Sequence, residues 1–144
     1  MRKSIPLALL LLASVAVADD SALARQYLRA RCRTLAAAAT AADVDRVLAL
    51  LADDVVVSHP RANADVVGKD AVRRGLMSHL TDYTGNPDES GIQLLEIITT
   101  PAAVALKTRT TFVVGEGAAR QVIDREGLTI VEVRDGRIVR LIEY

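Results

Sequence analysis

The chain has 144 residues, 51% of them apolar, with 18 basic and 18 acidic side chains and only four aromatic rings, Tyr27, Tyr83, Phe112 and Tyr144. So large an apolar share with balanced charge excludes a disordered chain. The lack of a basic excess and the scarcity of rings argue against a nucleic-acid binder that neutralises phosphates or stacks bases.

The first segment reads as an export signal. Arg2 and Lys3 give a positive start, the run from Ile5 to Val17 is apolar, and Ala16-Val17-Ala18 offers small residues for cleavage before Asp19. The run is shorter than the roughly 20 apolar residues of a membrane span, so a cleaved leader is favoured over an anchor helix. The expected organisation is a signal peptide over 1–18 and one domain over 19–144, periplasmic or secreted and free of the membrane after cleavage. With Arg2 and Lys3 removed, the remainder carries about two net negative charges. Its single thiol, Cys32, excludes an internal disulfide, so core burial must stabilise it. A chain of this size can hide about 70% of its unfolded surface.

Helices come first. Ala22 to Ala39 lacks Gly and Pro, and Leu28, Cys32, Leu35 and Ala39 recur on one helical face behind Ser21 as N-cap. Cys32 on that face reads as a buried, inert thiol. Asp43 is expected to cap a second helix, Val44 to Leu51, stopped by Asp53-Asp54. Val55-Val56-Val57 is a short β-branched strand with His59 at its exit, where Pro60 holds the backbone extended. A loop through Asn63 and Gly68 leads to a third helix, about Asp70 to Tyr83, with Val72, Leu76, Leu80 and Tyr83 in one stripe. The polar segment Thr84 to Gly91 is expected to be a loop.

From there the chain reads as strands. Ile92 to Thr99, Val104 to Val114, Arg120 to Val133 and Arg137 to Tyr144 are separated by Pro101-Ala102, Gly115-Glu116-Gly117 and Asp135-Gly136, which predicts four antiparallel strands. In the third, Gly127, Thr129, Val131 and Val133 share a face; in the second, Leu106, Thr108, Thr110 and Phe112 do. Helices followed by strands predict an α+β domain with a sheet folded over the helices.

Three stretches carry a family resemblance: Leu35 through Asp43; Val47 to Pro60, ending Val-Val-Val-Ser-His-Pro; and Val67-Gly68-Lys69-Asp70-Ala71-Val72. Together with the closing Val131-Glu132-Val133-Arg134-Asp135-Gly136-Arg137-Ile138-Val139-Arg140-Leu141, they resemble the SnoaL-like branch of the nuclear transport factor 2-like superfamily. The resemblance implies a cone in which a curved antiparallel sheet wraps around N-terminal helices and leaves a pocket. It also implies a homodimer. Function does not follow from this fold, which hosts isomerases, cyclases, dehydratases and epoxide hydrolases beside non-catalytic binders.

Comparison with ketosteroid isomerase sharpens the site. That reaction needs a base beside a carbonyl and donors for the resulting oxyanion. The family's base position, just before the proline, is His59 here; a free imidazole titrates near 6.5, suited to moving protons at neutral pH. The phenolic donor position aligns with Leu35 and the protonated-acid position with Thr129, so both strong donors are replaced. By the same parity the last strand aims Val139, Leu141 and Glu143 at the pocket, which makes Glu143 a candidate to orient His59 or bind substrate, against a solvated carboxylate as the alternative. Leu35, Val57, Leu76, Thr110, Phe112, Thr129, Val131 and Leu141 are the expected pocket lining. Tyr27 and Arg31 read as core-edge packing and a solvated cation, with the pocket mouth as the alternative, and His79 as a boundary residue.

His59 and His79 have no acidic or thiol cluster at ligand spacing, and no glycine-rich phosphate loop is present, so neither metal nor cofactor is expected. Two readings remain: a small enzyme using His59 as general acid or base on a compact apolar molecule, and a non-catalytic ligand-binding or dimeric interaction module.

Overall fold

The protein is described by a computed structural model covering residues 7–144, with side chains from Asp20 onward. The positive start of the expected leader, Arg2 and Lys3, lies outside the described residues. Helix α1 (Leu7–Arg33) runs without a break through the expected cleavage point. Among the described side chains the core begins at Ala24, Tyr27 and Leu28. No helix of the described residues is long and apolar enough to cross a membrane.

Helix α1 stops six residues before the expected Ala39. Thr34 donates its hydroxyl to the Arg31 carbonyl at 2.7 Å, and the N–H groups of Thr34 and Leu35 fold back on Arg31 and Cys32, tightening the last turn until the chain leaves the axis. Cys32 is half-buried, not buried. Helix α2 (Ala41–Leu48) starts three residues earlier than expected. Its N-cap is Thr40, and Asp43 sits three positions on as the partner in a capping box, accepting from the Thr40 N–H at 3.0 Å and the hydroxyl at 3.1 Å. Val44, Val47 and Leu48 face inward.

Strand β1 (Leu51–His59) is much longer than the expected valine run. Asp53 and Asp54 do not end a helix; they stand exposed inside β1, paired with Lys69 at 3.0 Å and Arg134 at 3.2 Å. After the turn at Pro60 comes a short edge strand, β2 (Ala64–Val67), where only a loop was expected. Helix α3 (Lys69–His79) is followed by β3 (Gly91–Thr99), β4 (Val104–Val114), β5 (Gln121–Arg134) and β6 (Arg137–Glu143). Asp135 and Gly136 both adopt positive φ, 52° and 71°, as a two-residue hairpin between β5 and β6 requires.

The six strands form one curved open sheet in the order β2-β1-β6-β5-β4-β3. The C-terminal four pair antiparallel as expected. The sheet as a whole is mixed, because β1 lies parallel to β6. At that joint Ser58 stands opposite Ile142, so His59 and Glu143 end neighbouring strands side by side. The three helices cover the inner face. Beneath them Val44, Val47, Leu51, Val55, Leu106, Val131, Ile138 and Leu141 form a continuous apolar core.

Candidate functional site

Four side chains converge at the open end. On β1, Val55 and Val57 are buried and His59 is the next residue of that row, half exposed. On β6 the same row runs from buried Leu141 to Glu143. Val139, expected to continue it, does not, because β6 carries one extra residue between the pairs Glu132–Arg140 and Val133–Ile138; the bulge hands the inward position to Ile138. Tyr27 and Arg31 descend from α1, one turn apart.

The Tyr27 phenol donates to Glu143 Oε1 at 3.1 Å, and His59 Nδ1 lies 3.6 Å from Glu143 Oε2, an ion-pair distance when the imidazole is protonated. Glu143 is thus shared between a neutral donor and a titratable base. Burial drives the Tyr27 pKa far above that of a free phenol, reinforced by the charge of Glu143 and the bond to it and opposed by Arg31. The phenol therefore stays protonated and keeps donating. For Arg31, burial works to lower the pKa, but the oxygens of Tyr27, Glu143 and Tyr83 outweigh it and the balance is upward, so the guanidinium is a permanent cation facing the site. Tyr27 therefore packs in the core as expected while its hydroxyl reaches Glu143 at the cavity wall, and Arg31 is half-buried and faces the site where solvation was expected.

Two cavities of about 380 Å³ each open at this end. Tyr27, Arg31, His59, Tyr83, Arg125 and Glu143 border both, forming a polar wall between them. Of the expected lining, Leu35, Thr110, Phe112 and Thr129 face the first cavity; Val57, Leu76 and Leu141 face the second. Val131 faces neither: it is fully buried between Val104 on β4 and Leu141 on β6 and belongs to the core. His79 reaches the second cavity, with its ring held by Asp82 at 2.8 Å.

Sequence reasoning missed Arg125. The signal was the alternation of β5: Arg125 shares the parity of Gly127, Thr129 and Val131, which places a cation on the cavity row. Tyr83 packs edge-on against Phe112, 5.4 Å between ring centres, and Arg125 lies 5.5 Å from the same Phe112 ring. Among the described residues there is no group of three His, Cys, Asp or Glu able to hold a metal.

A curved mixed sheet holding three helices, with a hollow at its open end, defines an α+β protein of the ketosteroid isomerase-like, nuclear transport factor 2-like class. Within it the chain belongs to the SnoaL-like family, whose domain model matches residues 32–141. The fold is similar to that of an LEH-like epoxide hydrolase from M. tuberculosis, 19% identical with a TM-score of 0.69, covering 90% of this chain and 84% of that one. It is also similar to a protein provisionally described as a SnoaL-like polyketide cyclase from Shewanella denitrificans, 13% identical with a TM-score of 0.70, covering 86% and 88%. A third likeness is to a protein provisionally described as a ketosteroid isomerase from Kribbella flavida, 21% identical with a TM-score of 0.62, covering 88% and 77%. No curated protein sequence matches the chain.

Proposed function

We propose that this is an exported, cofactor-independent acid–base catalyst of the isomerase or cyclase kind, acting on a small molecule in the divided hollow, with His59 moving the proton. The observation that carries the reading is the sequence of contacts Tyr27 to Glu143 to His59 in the wall common to both cavities. With Nδ1 turned to Glu143, the other ring nitrogen is left for substrate. It withdraws a proton from a carbon beside a carbonyl, and the electron pair moves onto the carbonyl oxygen. Arg31 faces that developing charge, a role the replaced donor positions at Leu35 and Thr129 do not fill. Glu143 stabilises the imidazolium, and the Tyr27 phenol fixes the carboxylate. The proton then returns to a different carbon in an isomerisation, or to the new alkoxide after ring closure in a cyclisation.

A panel of cyclic ketones and linear diketones tests this. His59→Gln is expected to lower turnover by about 10²–10⁴-fold, the usual worth of a positioned general base, with the fold retained. Turnover unchanged in that variant would remove His59 from the chemistry. The second reading, a binding module without turnover, draws on the 3.6 Å separation, which is longer than a hydrogen bond; a co-purified small molecule recovered intact after incubation favours it.

Export completes the proposal. Cleavage before Asp19 spares the described core, which starts at Ala24; Edman sequencing of exported protein should begin at Asp19, and an intact Met1 contradicts the leader. A homodimer is supported by apolar side chains grouped on the outer sheet, Ile98 at 54% and Leu128 at 38% exposure beside Ala105, and light scattering showing only monomer contradicts it.

A further inference from the structure

The charges around the first cavity are not balanced. Arg31, Arg61 and Arg125 face it, against Glu126 and Glu143, with His59 as the titratable neighbour. Glu126 is already held by Lys107 at 3.2 Å and Arg109 at 3.3 Å, and Glu143 accepts from Tyr27. None of the three arginines makes an ion pair among the described residues. Arg31 spends one donor on Thr34, at 2.6 Å, and Arg125 rests against the face of Phe112. Arg61 stands in the turn that follows His59-Pro60, and it and Arg125 are exposed at the rim while Leu28, Leu35, Ile92 and Phe112 supply apolar wall behind them.

We propose that the ligand of this hollow is an amphipathic carboxylate, its acid group held at the rim by Arg61 and Arg125 and its apolar or aromatic body against Phe112 and Leu35. This rests on the reading of the hollow as the ligand site and replaces the expected purely apolar molecule with an anionic one. Guanidinium forks match the plane and the single charge of a carboxylate. A phosphate dianion fits less well, because Glu143, whose hydrogen-bond partner Tyr27 is neutral, borders the same space and repels a second charge. The cation on Phe112 also polarises the ring edge that a flat ligand would meet.

Calorimetric titration with 2-naphthoate, 2-naphthalenemethanol and 2-naphthyl phosphate tests the proposal. The carboxylate is expected to bind about tenfold tighter than the neutral alcohol, with the gap narrowing in high salt. Arg61→Gln and Arg125→Gln are each expected to weaken naphthoate by about three- to tenfold and leave the alcohol within about twofold, since both arginines are exposed and their loss removes charge without a core contact. Equal binding of acid and alcohol, a preference surviving in the double variant, tighter binding of the phosphate, or no binding of any probe overturns the proposal. Failure here is separable from failure of the acid–base reading: in His59→Gln the preference for naphthoate persists even as turnover disappears, whereas an inactive wild type that still prefers naphthoate leaves the carboxylate site standing alone.

Discussion

The same rows of side chains close one end of the cone and open the other. Along β1, Val57 is buried and His59, two residues on, meets the first cavity; along β6, Leu141 is followed by Glu143, which meets it too; along β5, Val131 gives way to Thr129 and then Gly127; along β4, Leu106 gives way to Thr108 and Thr110. Every step is one strand repeat, about 7 Å, on one face. Below it the side chains are branched and aliphatic and fill the space between sheet and helices. Above it they are polar or shorter, and α1 contributes Tyr27 and Arg31 where Ala24 packed one turn earlier. The closed end holds the fold and the open end holds charge, so substitutions at matched positions should separate stability from function.

The largest separation is expected between Leu141 and Glu143. Leu141→Ala should cost about 2–5 kcal/mol in urea unfolding, because a fully buried side chain leaves a cavity its neighbours cannot refill. Glu143→Gln should cost about 1 kcal/mol or less, since the amide oxygen still accepts from Tyr27, yet it should depress turnover by removing the charge beside the imidazolium. Equal stability losses would show that the open end is packed core after all. Next comes Tyr27→Phe, expected to cost about 1.5–3 kcal/mol for loss of a donor to a carboxylate. Because the folded pKa of Tyr27 is raised, its stabilising share is complete below the unfolded phenol value of about 10 and fades as pH climbs above it. Tyr27→Phe should therefore flatten the alkaline limb of a stability profile; an unchanged limb would mean that the phenol is not buried. The smallest effect lies outside both ends. The Thr40 N–H holds the Asp43 carboxyl below the usual range, helped by the Thr40 hydroxyl and Arg46. Its contribution is present above the unfolded value of about 3.9 and is lost as pH falls through the folded one. Asp43→Ala should cost about 0.5–1 kcal/mol at neutral pH and nothing at pH 2, read from thermal midpoints.

The closed end was legible from sequence because period-two and period-3.6 patterns report burial directly: the β4 limits were read to the residue, and Asp135-Gly136 turned as its composition demands. The open end was legible in part. His59 and Glu143, 84 residues apart, both read as site candidates, but their adjacency depends on β1 lying parallel to β6, a long-range pairing that no local pattern encodes. From sequence Tyr27 and Arg31 read as packing and solvation because amphipathic residues on a helix flank are usually half-solvated, and only the fold shows which flank meets the cavity. The missed β2 is four residues long and exposed along most of its length, so it carries no hydrophobic signature. The capping box is written in the sequence as Thr40 followed three residues on by Asp43, and reading Asp43 alone as the cap shifts the helix start by three residues.

Deuterium uptake at the carbon beside a carbonyl tests the acid–base wall most directly, since it needs only proton abstraction and no knowledge of the natural product. With 1-tetralone in deuterated buffer followed by proton NMR, the wild-type protein should accelerate loss of the α-proton signal over buffer, and His59→Gln should bring the rate down by about 10²-fold or to the buffer value while unfolding at the same urea concentration. A wild-type rate no faster than buffer, or an equal rate in the variant, would contradict the account.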